Sequence, residues 1–464
     1  MFRPSRRRFL GSTLGAGAAA VSAQQRGQPS RPNILLILAD DLAAWMCGCY
    51  GNKEIRTPNI DLLARMGTRF LNGFVVTPVC SPSRATLFTG RTPMQHGIHD
   101  FLTPNPVEKP PQGQAAPPEA FAREVMLSDI LAREGYRCGY VGKWHLGSDA
   151  APGHGYEFTY TMLGGSGPYQ NPTMSRNGKL VTESGYLTQL MTQAALEFIE
   201  RQEPGRPFFL AVSYLNPHTP YDGHPQKYYD LYAGTRFETI GWEPEAPNAL
   251  REKEMLQDIV GNLRKCAASV TALDDQIPIL LDALRRRKLW SDTLIVFTAD
   301  NGYLLGRRGL WSKGHASDPI NMYEEVIGVP LILSWPGEIP VEATRPELVS
   351  FYDLLPTLCE AAQAPVPADR NLCGRSFLTL ARGRTFPKGQ AWPPTVFGYF
   401  RNTQMARDNR FKLVIRDGGE GPNELYYLSR DPREKRNEYD NAGFVTVRDR
   451  LRRQLDGWLE RYGS

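Results

Sequence analysis

The chain has 464 residues, 41% of them hydrophobic and 22% charged, enough for one large core with a smaller annex and ordinary for a soluble globular protein. Its formal charge of +5 is misleading: without Arg3, Arg6, Arg7 and Arg8 it falls to about +1, which argues against a nucleic-acid binder held by a basic face. The seven cysteines include no C-x-x-C pair, so none suggests a zinc site.

Ser5-Arg6-Arg7-Arg8-Phe9-Leu10 reads as a twin-arginine export signal, with a Gly/Ala-rich run to Val21 and a cleavage site at Val21-Ser22-Ala23. That run is shorter than the roughly 20 apolar residues a membrane span needs. Residues 1–30 are therefore expected to be a leader. The rest is expected to reach the periplasm or the cell exterior, carried by twin-arginine export machinery, with no integral membrane segment.

Asn33 to Leu38 is a continuous apolar run, as for a strand buried on both faces, and it leads into Asp40-Asp41. Similar runs stand at Gly139–Val141 before Lys143, at Phe208–Ser213 before His218, at Thr293–Thr298 before Asp300-Asn301, and at Val329–Leu333. Helical patterns lie between them. One opens at Thr57-Pro58 with Ile60, Leu63 and Ala64 on one face, and another runs from Ser128 to Glu134. Two longer ones span Thr188 to Arg201 and roughly Leu250 to Arg287, the last interrupted by Pro278. Alternating strands and helices predict an α/β fold: a large mixed, mainly parallel sheet sandwiched by helices.

The Pro/Gly/Arg-rich stretch Ala381 to Pro394 marks a boundary. Beyond it, strand-like runs at Val396–Phe400, Phe411–Ile415 and Glu424–Leu428 precede an amphipathic helix from Val445 to Arg461. The expected organisation is a catalytic domain over 31–385 and a small antiparallel sheet with one helix over 386–464. A second Pro-rich patch runs from Pro104 to Pro118.

Cys80-Ser81-Pro82-Ser83-Arg84 is the stretch on which the reading turns. Pro82 is tolerated only in the first turn of a helix, and Ala85, Leu87 and Phe88 continue one toward Gly90. Cys80 then stands at a helix N-terminus beside free N–H groups, with Arg84 one turn later on the same face. In parallel sheets ligands gather beyond the carboxyl ends of the strands, where Asp40, Asp41, Lys143, His145, His218, Asp300 and Asn301 all fall. Oxygen donors such as Asp40, Asp41, Asp300 and Asn301 select Ca2+ or Mg2+ over zinc or copper.

The motif resembles the sulfatase signature C-x-P-S-R. Asp40-Asp41-Leu42, Cys49-Tyr50-Gly51-Asn52, Thr57-Pro58-Asn59-Ile60-Asp61, Gly142-Lys143-Trp144-His145-Leu146-Gly147, Asn216-Pro217-His218 and Thr298-Ala299-Asp300-Asn301-Gly302 accompany it in family order. The resemblance implies an alkaline-phosphatase-like fold and a type I sulfatase whose Cys80 is converted to formylglycine by a maturation enzyme. It assigns Asp40, Asp41, Asp300 and Asn301 to one Ca2+, with modified Cys80 completing the shell. It implies that the hydrated aldehyde attacks sulfur, that His145 is the base freeing the product and His218 the acid protonating the leaving oxygen. Arg84, Lys143 and Lys313 supply positive charge. Lys313 departs from the family pattern, standing ten residues before Tyr323, and Gly328 occupies the usual Arg place. His99 and His224 are pocket candidates. The expected substrate is a sulfated carbohydrate or an aryl sulfate. A phosphonate monoester hydrolase or phosphodiesterase, and an inactive sulfated-glycan-binding protein, are the alternatives.

Overall fold

A computed structural model of the chain describes residues 31–102, 121, 123–387 and 389–463. The leader at 1–30 and the whole of the patch at Pro104–Pro118 lie outside the described residues. Among those described, ten strands form one sheet in the order β10-β2-β9-β8-β1-β7-β3-β4-β5-β6. Its centre comprises β1 (Asn33–Asp40), β3 (Arg137–Lys143), β7 (Phe208–Pro217) and β8 (Thr293–Ala299), with β4 (Phe158–Met162) alongside. These strands pair in parallel. The antiparallel pairs come from β9 (Gly328–Ser334), between β8 and β2 (Thr68–Phe74), and from the edge strands β5 (Thr173–Arg176) and β6 (Lys179–Thr182). The far edge, β10 (Ala343–Ser350), runs parallel to β2.

The centre strands are near-continuous apolar runs because both faces are covered. Neighbours on β3 show it. The Cys138 thiol meets the Ser128 carbonyl at 3.6 Å, in the helix Leu127–Arg133. A Cβ on Gly139 would lie 2.6 Å from the Phe198 ring, in the helix Leu187–Glu200. Successive strand residues point to opposite faces, so these two helices lie on opposite sides.

Helix α1 (Pro58–Arg65) buries Ile60, Leu63 and Ala64, the face read from its spacing. The long pattern after Leu250 resolves differently: Lys253–Asp258 is a 3-10 segment, followed by helices Ile259–Asp274 and Ile277–Arg286. The break precedes Pro278, which sits in the first turn of the second helix, where its missing N–H costs nothing.

The second sheet is antiparallel: β11 (Thr395–Phe400), β12 (Thr403–Asp408), β13 (Phe411–Arg416) and β14 (Glu424–Tyr427). It is covered by the closing helix Val445–Tyr462 through buried Leu451, Leu455 and Trp458. Its first strand reaches the chain just before Cys80, where the Tyr399 N–H donates to the Val76 carbonyl at 2.9 Å and the Thr77 hydroxyl to the Tyr399 carbonyl at 2.6 Å. No helix among the described residues is long and apolar enough to cross a membrane.

Candidate active site

Four consecutive strands, β8-β1-β7-β3, end at one place on the sheet rim. Pairing between β1 and β7 slips between Leu38 and Asp40, a bulge that marks where the strand leaves the ladder. Asp41 follows with φ 66°, a left-handed conformation that costs energy in a non-glycine residue and clusters at functional sites. The Asp300 carboxylate secures this turn by accepting the Asp41 N–H at 3.1 Å.

Opposite stands helix α2 (Cys80–Thr89), which ends at Gly90 in the left-handed conformation, φ 68°. A side chain there would be strained, which is why glycine closes the helix. Cys80 is its first residue. The Cys80 sulfur lies 2.9 Å from Lys313 Nζ, 3.5 Å from Lys143 Nζ and 3.8 Å from Asp40 Oδ1. One turn on, the wholly buried Arg84 guanidinium donates to Asp300 Oδ2 at 2.8 Å through Nε. Its Nη1 donates to the Lys143 carbonyl at 2.7 Å and the Ser213 hydroxyl at 2.6 Å, and Nη2 is 3.8 Å from Asp40 Oδ2. Lys143 pairs with Asp40 at 2.5 Å, and Lys313 pairs with Asp41 at 2.5 Å. The residues between Lys313 and Tyr323 therefore do not carry this lysine away from the other site groups.

The electrostatics are those of crowded like charges. Burial, then Asp300, push the Asp40 carboxyl up to about 7 against the pull of Lys143. For Asp41 and Asp300, burial acts upward too. It is overcome by Lys313 and His218 in the first case and by Arg84 and Lys143 in the second, so both carboxyls stay below their usual value. Burial raises the Cys80 thiol to about 11 although both lysines oppose it. Lys313 is held protonated: burial disfavours its charge, but Asp41, Cys80, Asp40 and Asp300 outweigh that.

Asp40, Asp41 and Asp300 each offer a carboxylate oxygen, all within 4.8 Å of one another. Asn301 Nδ2 donates to Asp41 Oδ1 at 2.7 Å, while its Oδ1 is buried with no hydrogen-bond partner among the described residues. Three carboxylates and an orphaned amide oxygen suit one hard divalent cation, which would remove the repulsion that raises Asp40. Cys80 and His218 also lie within ligand reach of Asp40.

His218 sits at the end of β7, with Nδ1 2.6 Å from the Thr219 carbonyl and Nε2 3.8 Å from Asp41 Oδ2. A carbonyl only accepts, so Nδ1 carries the proton and Nε2 the lone pair. Burial and then Lys143 lower its pKa to about 3. His145 follows β3 and is likewise held neutral, by burial first and Lys143 second. The pocket candidates His224 and His99 each keep one ring nitrogen, Nε2 and Nδ1, buried without a hydrogen-bond partner among the described residues. His224 packs 4.2 Å from the Tyr169 ring and bonds the Tyr186 hydroxyl at 2.8 Å. His99 stands 5.6 Å from the Tyr399 ring, and His315 pairs with Asp100 at 2.9 Å. Ser213 and the Lys143 carbonyl hold Arg84 without any sequence signal: the first stands in a strand read only as an apolar run, and the second is main chain.

The fold with this rim defines a member of the alkaline-phosphatase-like superfamily. The sulfatase family matches residues 32–364, and the C-terminal region of the N-sulphoglucosamine sulphohydrolase family matches residues 315–460. The chain belongs to the sulfatase family, and its class of activity is sulfuric-ester hydrolysis. It is 30% identical over 414 residues to the N-acetylgalactosamine-6-sulfatase of Homo sapiens, covering 82% of this chain and 70% of that one. It is 25% identical over 524 residues to the N-acetylglucosamine-6-O-sulfatase of Bacteroides thetaiotaomicron, covering 96% and 89%. A solved structure in complex with its substrate D-glucosamine-2-N,6-O-disulfate shares the fold with a TM-score of 0.77 at 23% identity, covering 93% and 98%. The family and activity expected from the motifs are thereby established.

Proposed function

We propose that this enzyme removes sulfate from a sulfated amino sugar, using formylglycine made from Cys80 and one Ca2+. The observation that carries the reading is the meeting of Cys80 Sγ, two lysines and three carboxylates in one buried cluster. Two relatives, from a bacterium and from Homo sapiens, are named for the 6-sulfate of an N-acetylhexosamine, which supports that substrate class. Asp40, Asp41, Asp300 and Asn301 would hold the cation. When present, the two groups supply a hydrated aldehyde nucleophile and a positive charge that eases loss of its proton.

The chain's own residues do the rest. Lys143 and Lys313 bind the anionic sulfate oxygens, and Arg84 fixes Asp300 and the carboxyl end of β3. His218 protonates the leaving oxygen; burial and then the lysines keep this histidine neutral, and the negative charge of a bound sulfate ester acts against the lysines' share. His145 takes the proton whose removal releases product. The leader at 1–30, export, maturation by a formylglycine-generating enzyme, and the division of the chain near residue 385 belong to the same proposal.

Release of sulfate from defined 6-sulfated N-acetylhexosamines, beside aryl sulfate and aryl phosphonate esters, tests the assignment. Preference for the sulfated sugar is expected, and preference for the phosphonate would overturn it. Ca2+ is expected to stabilise metal-stripped protein by about 2.7 kcal/mol at a hundred times its dissociation constant. Thermal melts should show that gain, and Asp41→Asn or Asp300→Asn should abolish it. Lys313→Ala is expected to lower kcat by about 10²–10³-fold, the worth of one preorganised charge, read by steady-state kinetics.

A further inference from the structure

The loop after Lys143 holds an arrangement separate from the charge cluster. His145 has a left-handed backbone, φ 57°. Its N–H donates to Asp149 Oδ1 at 2.9 Å, while Asp149 Oδ2 accepts the Gly164 N–H at 3.0 Å. One carboxylate thus ties together the two loops on either side of the imidazole. Asp149 is itself moored to the sheet: its carbonyl accepts the Thr161 hydroxyl of β4 at 2.5 Å, and the Ala150 carbonyl accepts the Ser175 hydroxyl of β5 at 2.6 Å. Gly165 lies against the ring, where a Cβ would stand 2.4 Å from His145 Nε2 and Cε1.

The ring is fixed from its other end as well. His145 Nε2 lies 2.8 Å from the Leu102 carbonyl, and the Leu102 N–H donates at 3.0 Å to the hydroxyl of Ser81, beside Cys80. Since a carbonyl only accepts, Nε2 bears the proton. Nδ1 keeps its lone pair, buried and without a hydrogen-bond partner among the described residues.

We propose that Asp149 is the positioning residue for His145, clamping the 145 and 164 loops around the imidazole so that the Nε2–H tautomer is locked and Nδ1 is the nitrogen that takes a proton. A carboxylate is needed because both groups it holds are donors; an asparagine would turn an NH2 toward one of them. This rests on the reading of His145 as the proton acceptor.

Long-range 1H–15N correlation on histidine-labelled full-length protein, with His145→Ala for assignment, reads the tautomer independently of turnover. Wild-type His145 is expected to show a protonated Nε2 and a bare Nδ1. Asp149→Ala is expected to mix the tautomers and lower kcat about 10- to 100-fold, the cost of misplacing a reacting group by an ångström, with little change in KM. Asp149→Asn should fall between the two. Gly165→Ala is expected to give the same signature, and it carries the test if Asp149→Ala does not fold. A protonated Nδ1 in the wild type, or an unmixed Nε2–H signal with wild-type kcat in Asp149→Ala (in Gly165→Ala if Asp149→Ala does not fold), would overturn the proposal. Full activity in His145→Ala overturns the acceptor reading. Loss in His145→Ala with none in Asp149→Ala overturns the positioning alone.

Discussion

Cys80→Ala is expected to lower turnover about 10⁵- to 10⁶-fold, the scale seen when a covalent nucleophile is removed. Cys80 contributes little packing of its own, so the variant should fold. It is the only side chain on α2 that meets both lysines and the Asp40 carboxylate. As a thiol it is a poor nucleophile: burial holds it near 11, leaving little thiolate at neutral pH even between two ammonium groups. Sulfate release within tenfold of wild type in Cys80→Ala would remove Cys80 from the chemistry.

Arg84→Ala is expected to cost about 3–5 kcal/mol of stability and to abolish activity, because it leaves buried carboxylates without their partner. Arg84 is fully buried and binds Asp300, the Lys143 carbonyl and Ser213 together. Removing it frees the end of β3 that presents Lys143 and takes away the charge that holds Asp300 ionised. Arg84→Lys should recover little, since one ammonium cannot reproduce a planar fork reaching three partners. Urea unfolding measures the loss; a change under about 1 kcal/mol would mean the cluster does not depend on the guanidinium.

Much of this site is legible in the sequence because its groups come from side chains at strand ends. Asn33 to Leu38 announces a buried strand, and a doubly acidic pair after such a strand has few uses. Thr298 to Asn301 repeats the signal, and Pro82 dates the start of α2 to within a turn. Lys313 is harder to read, since the unusual spacing to Tyr323 hides that its ammonium reaches Asp41. The partners that hold these groups are invisible beforehand: the Leu102 and Lys143 carbonyls have no residue identity, and Asp149 acts by accepting backbone N–H groups. In the second sheet, β12 escaped notice because Thr403–Asp408 mixes polar, apolar and charged residues without alternation. Its place is set by pairing with β11 and β13 on either side, a tertiary cause.

The central claim is that a cation held by Asp40, Asp41, Asp300 and Asn301 acts on an aldehyde derived from Cys80. Peptide mass spectrometry of active enzyme, produced together with a formylglycine-generating enzyme, tests it most directly. The peptide spanning Cys80 should carry an aldehyde in place of the thiol, in a fraction that tracks specific activity across preparations. Fully active protein with an intact thiol at Cys80 would contradict the account.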